Sequence, residues 1–240
     1  MDRVLILYKG EMNRTVKYGI TGASLAATVL WVLALQFSQA GSVTALFPLV
    51  LYIDTTLMSF LLAGVTLVFE TQENVLQSFL VTPINTTEFL LAKGLAVVTS
   101  SVITFGLLTT YGILFKNLSV NILGLLAAVI VISFAFAQLG ILMTYFSKDF
   151  TDLLMGMFKF AIVFSLPTML VFLNVFNARW LTTLQYINPT KHAITLLQAS
   201  VFPVPQQDLI ISIVYILVLS IAGFVGAYKL FDGYVVKGGA

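Results

Sequence analysis

Residues 120–146 read VNILGLLAAVIVISFAFAQLGILMTYF, and this stretch decides the fold class. It contains no Asp, Glu, Lys or Arg, and the charge-free run extends from 117 to 147. About 20 apolar residues in helical form cross the hydrocarbon core of a bilayer. The same absence of charge holds for 18–53, 94–115, 160–178 and 209–228. The first of these is too long for one crossing, and Gln36–Ser42, with Gln39, Gly41 and Ser42, reads as a turn. Six helices are therefore predicted, near 19–38, 46–69, 93–115, 120–146, 155–176 and 208–231. Transmembrane barrel strands alternate apolar and polar residues, and these runs do not. A cleaved leader is not expected, because the first apolar run outlasts a signal-peptide core and a second span follows almost at once.

The whole chain agrees. Of its 240 residues 59% are hydrophobic and 9% charged, with a mean hydropathy of +1.02. Soluble domains carry about 25% charge, so this chain cannot cover a water-facing surface. The predicted fold is an all-α integral membrane protein, with 1–240 forming a single transmembrane domain. Disorder is excluded, because it requires low hydrophobicity and high charge. Twelve Lys/Arg against ten Asp/Glu leave no basic stripe for nucleic acid. Cysteine is absent, and with it disulfides and thiolate metal sites.

Lysine and arginine placement sets the expected orientation. With the N-terminus inside, the inner side holds Arg3, Lys9, Arg14, Lys17, Lys93, Lys148, Lys229 and Lys237. The outer side holds Lys116, Arg179 and Lys191. Both termini are expected in the cytoplasm. Lys159, near the inner end of the fifth predicted span, can snorkel to that face.

Three segments are not spans. Residues 1–17 interleave Val4, Leu5, Leu7, Tyr8, Met12 and Val16 with basic residues, the pattern of an interfacial amphipathic helix. In the loop 70–93, Val75, Leu76, Phe79 and Leu80 share one helical face. Pro83 stops that short helix, and Asn85 with Glu88 forms a capping-box pattern that starts a new helix near Thr86. The apolar face of the short helix calls for a partner or for packing on the chain's own spans. In 177–207, Asn188–Pro189 reads as an N-cap and a first-turn proline. Short outer-face helices are expected near 178–186 and 190–201, with Asp208 capping the sixth span.

The 70–93 loop carries a resemblance. Its Glu73, Leu76, Phe79–Leu80, Thr82–Pro83, Glu88–Phe89–Leu90–Leu91 and Lys93 resemble the link between the second and third spans of ABC-2 type permease subunits of ATP-binding-cassette exporters. Asn188–Pro189 and the long outer segment match as well. Family members often carry a basic residue and Gly-Thr before the Leu-rich stretch, where this chain has Thr71, Gln72, Asn74 and Val75. The resemblance implies that the short helix is a coupling helix seated in a separate ATP-binding subunit. Glu73, Val75, Leu76, Phe79, Leu80, Thr82, Pro83 and Glu88 would form that contact. It also implies a second permease chain, identical or not, in a prokaryotic cytoplasmic (inner) membrane.

The chain has no GxxxxGK[ST] phosphate loop. ATP and Mg would therefore enter through the partner ATPase, and this chain binds no cofactor of its own. Asp54 is the substrate-path candidate, because charge inside a span is costly. Pro167 is the hinge candidate. His192 reads as a surface residue beside Lys191, and Asp149 and Asp152 as caps of the fifth span. Gly22, Gly106 and Gly124 are candidates for close helix packing. No nucleophile–base pair or metal cluster is legible, so no enzyme active site is read. The expected function is outward movement of an apolar or amphiphilic substrate such as a drug, lipid, hydrophobic peptide or lipid-linked glycan. The alternatives are an ion-coupled secondary transporter, a haem-export-type permease or a scaffold without transport.

Overall fold

Six helices in the computed structural model are long and apolar enough to cross a membrane: Ile20–Phe37, Val43–Gln72, Thr86–Lys116, Ile122–Thr144, Phe150–Phe172 and Gln206–Val235. The structure describes residues 2–38, 40–76, 85–175 and 178–236. The predicted Phe79, Leu80, Thr82 and Pro83 lie outside the described residues.

Helix α1 (Asp2–Lys17) precedes the first span, α2 (Ile20–Phe37). Gly19 joins them at φ 72, a left-handed backbone where glycine carries no side-chain strain. The second span is α3 (Ala40–Ile53), a π-helical turn Asp54–Met58 and α4 (Ser59–Gln72). The third is α5 (Thr86–Lys116), opened by the predicted capping box of Asn85 and Glu88. The fourth is α6 (Ile122–Thr144). The fifth is α7 (Phe150–Phe160), a second π-helical turn Ala161–Ser165 and α8 (Leu166–Phe172). Two short helices, α9 (Arg179–Leu184) and α10 (Pro189–Gln198), precede the sixth span, α11 (Gln206–Val236).

Spans two, three and four form the buried centre, and spans one, five and six show most of their surface outward. In lipid, apolar area alone does not drive helices together, so close packing and hydroxyl pairs matter more. Gly140 of α6 lies where any Cβ would overlap the carbonyl oxygen of Phe60. Ser59 and Ser101 pair at 3.0 Å, and Thr28 and Thr104 at 3.3 Å, tying spans two and one to span three. A Cβ placed on Gly22 or Gly106 would meet no described residue within 4 Å, so neither makes the expected close approach, whereas a Cβ on Gly124 would come within 3.1 Å of Asn121 and Ser200.

The fifth span starts five residues before its predicted position. Asp149 explains this, because its carboxylate accepts from the Asp152 N–H at 2.8 Å and caps the helix there. Asn174, at φ 55, follows its last residues. Pro167 stands just after the π-helical turn; it has no N–H to continue the helical ladder.

At the α10 end of the bundle, Asn188 caps α10 as expected, accepting from the Thr190 N–H at 3.0 Å. The Asn188 amide and the Thr190 hydroxyl also donate to the Phe164 carbonyl, each at 2.8 Å, fastening α10 to the fifth span's π-helical turn. His192 is not a surface residue: it is 0% exposed and stacks on Tyr215 at 4.2 Å. Its Nε2 donates to the Tyr186 carbonyl at 2.9 Å, which leaves Nδ1 to accept from the Ser212 hydroxyl at 3.0 Å. Asp208 is not the cap of α11. It sits in the first turn and accepts from the Tyr186 hydroxyl at 2.9 Å.

Candidate functional site

Four charged side chains meet at the opposite end of the bundle, three of them buried and Arg14 partly exposed. Glu11 and Arg14 lie one turn apart on α1, so both point to the same side. Glu70 is in the last turn of α4, and Lys93 lies two turns into α5. Arg14 donates to Glu11 at 2.6 Å and stands 3.2 Å from Glu70. Lys93 stands 3.0 Å from Glu11 and 2.9 Å from Glu70. Each cation thus touches both carboxylates, and two positive charges balance two negative ones. Lys93 and both carboxylates are almost fully buried. The Glu70 pairings are close in distance but fall short of hydrogen-bond geometry, so they act as charge contacts.

The surroundings suit buried charge. Thr66 accepts from Lys93 at 3.4 Å, and the Lys93 ammonium lies 5.1 Å over the Phe89 ring. A cavity of about 10 Å³, lined in part by Glu11, Thr15, Thr66, Lys93 and Ser100, has room for about one water. Burial by itself would raise the Glu11 carboxyl. Lys93 and Arg14 outweigh that and hold it below the usual carboxylate value.

This tetrad grips both roots of the link between spans two and three. Glu70 is the near root and Lys93 the far one. Beyond Glu70, the Tyr18 hydroxyl donates to Glu73 at 2.8 Å, and Lys17 stands 3.7 Å from Glu73. The chain then turns through Asn74 at φ 57. Tyr8 meets Thr99 at 2.9 Å, further along the third span. Helix α1 is therefore not held by lipid alone. It is bolted to the helices that carry the link.

The predicted contact residues fall in different places. Glu73 is exposed and Val75 half-buried. Leu76, predicted on an exposed apolar knob, is 3% exposed and clusters with Leu67, Phe89 and Leu90. The start of the link therefore turns inward and packs on the chain's own spans. Glu88 accepts from the Asn85 N–H at 3.3 Å and so serves its helix cap. Asp54 is 3% exposed, within the bundle and roughly 16 Å along the helix from Val43.

Sequence reading missed the tetrad. Its signal was available: Glu70 and Lys93 are charges at the ends of apolar spans in a chain with few charges, and Glu11 and Arg14 have apolar neighbours. Which charges pair with which is a tertiary fact, and spacing does not give it.

The profile of the ABC-2 type transporter family matches residues 2–202. The chain belongs to the ABC-2 type transporter family. The match runs from α1 through all of α10, so the tetrad, the link and the Asn188–Pro189 turn lie inside this ABC-2 membrane domain. A domain of this family is a permease without an ATPase site of its own. A search of curated proteins finds no match.

Proposed function

We propose that this chain is the membrane-spanning half of an ATP-driven exporter, moving an apolar or amphiphilic substrate outward. A separate ATP-binding subunit seats the 73–85 link, and a second permease chain, identical or not, completes the route. ATP and Mg act on the partner subunit. The end of the bundle that holds α1, the link and both termini faces the cytoplasm, in line with the excess of Lys and Arg there.

The observation that carries this reading is the tetrad. A link that only joined two spans would not need both roots fastened to a third helix through buried charges, which cost several kcal/mol to desolvate. A link that receives force does need firm roots, because a push on loose chain is lost in local bending. Seated in a partner and braced by Glu11, Arg14, Glu70 and Lys93, it passes that push to spans two and three together.

The test is a mild-detergent pull-down of the tagged chain from its native membrane, beside Phe79→Asp. Leu76→Asp is unsuitable, since Leu76 is buried and a carboxylate there would unfold the link's root. A soluble ATPase with a phosphate loop should come down with the wild type and be lost from Phe79→Asp, which stays monodisperse. Recovery of the chain alone in both cases would overturn the reading in favour of an ion-driven carrier or a scaffold.

A further inference from the structure

Lys159 does not sit where a lipid-facing lysine belongs. The fifth span begins at Phe150, so Lys159 lies nine residues in, roughly 14 Å along the helix. Half the hydrocarbon core is about 15 Å. The side chain is exposed on the surface of the bundle, and no described residue forms an ion pair with it. Its neighbour Phe160 turns inward, stacked on Phe60 at 5.3 Å. Among the described residues, Lys159 is the one charged side chain that is exposed on a span more than two turns from either end. A lysine at the centre of a lipid-facing helix costs about 2.5–3.5 kcal/mol on insertion scales.

The other outer faces set the contrast. Span one shows Leu25, Val29, Leu30 and Leu33, and span six shows Ile213, Val214, Leu217 and Ile221. Both faces suit lipid. Span five shows Met155, Phe158, Ile162, Val163 and Leu166 around Lys159. Two residues further on, the helix opens into the Ala161–Ser165 π-helical turn, a distortion common at functional sites. Asp54 carries the opposite charge but is buried, and cannot touch anything passing over the surface of the chain.

We infer that this face of span five lines the substrate route and that Lys159 is its binding residue for an anionic amphiphile, one with a phosphate or carboxylate head and an apolar tail. The inference rests on the permease reading and names its substrate class. The ammonium meets the head, and the apolar residues on either side along the helix meet the tail. A cation would be repelled at this position.

The test uses the absence of native cysteine. Single-cysteine chains Lys159→Cys and Val214→Cys are treated in native membrane vesicles with a membrane-impermeant sulfonated methanethiosulfonate. The thiol of Lys159→Cys should react and that of Val214→Cys should not. Equal protection of both would place Lys159 in lipid and overturn the inference. In a second arm, the purified chain in phosphatidylcholine vesicles is given spin-labelled stearic acid or its neutral methyl ester. The wild type should immobilise the ionised acid over the ester. Lys159→Gln should lose that preference, and Lys159→Arg should keep it. An acid preference unchanged in Lys159→Gln, or no preference in the wild type, would also overturn the inference. Neither arm involves an ATPase. A failed pull-down with a reactive thiol in Lys159→Cys would reject the ATP-driven reading alone. A successful pull-down with that thiol protected would reject this inference alone.

Discussion

At Lys93 the charge arithmetic is easily upset. Its ammonium answers two carboxylates, and its loss leaves Glu11 and Glu70 with Arg14 alone. Breaking a buried pair by removing one partner costs about 3–5 kcal/mol, because an uncompensated charge stays buried. Lys93→Gln should therefore lower the detergent unfolding temperature sharply. Glu70→Gln made together with Lys93→Gln restores balance between Glu11 and Arg14, and should cost less than the two single changes added. Strict additivity would mean that the four groups do not act as a unit. None of this was legible from spacing. Glu70 and Lys93 are charges at span ends in a charge-poor chain, a signal the sequence reading passed over, and their partners lie on a helix that the sequence presented as an interfacial anchor. Leu76 misled for a related reason. An apolar side chain serves a core as well as a docking knob, and Leu76 is buried in the core.

The element most open to a solution test is the α9–α10 segment. Its existence was legible, because Asn188–Pro189 is a start signal and Pro203 and Pro205 end the helical pattern. Its attachment was not, since a lone histidine beside a lysine looks solvated. In the fold, burial pulls His192 below its ordinary value, and Lys191 on the same helix pushes the same way. The Tyr186 carbonyl and Asp208 on α11 oppose the shift without reversing it, and the remaining neighbours, Ser212 and Tyr215, are uncharged near neutral pH. A lowered folded value means that folding favours the neutral ring. The stabilisation is then complete above the unfolded-chain value of about 6.5 and is lost as pH falls through the lower folded value. Limited proteolysis of 178–201 should therefore rise on acidification below about pH 6.5. His192→Phe, which cannot charge, should flatten that rise. An unchanged pH profile in His192→Phe would remove the histidine from the account.

Across the whole molecule, the six spans were legible because charge is costly along a helix in lipid, and long charge-poor apolar runs marked the crossings. Boundaries shifted where local capping outweighed hydropathy: Asp149 starts the fifth span early, so Lys159 lies nine residues past its first residue. The two π-helical turns, Asp54–Met58 and Ala161–Ser165, left no periodic trace in the sequence. We propose that α1 and spans two and three move as one body, and that a separate ATPase pushes on that body through the 73–85 link. The most direct measurement is a single-cysteine crosslink from the link itself. Phe79→Cys, in an otherwise cysteine-free chain, is treated in native membranes with a short thiol-to-amine reagent. A crosslinked band containing a subunit with a GxxxxGK[ST] phosphate loop is the expected result. Crosslinks to the same chain alone, with no second protein in the band, would contradict the account.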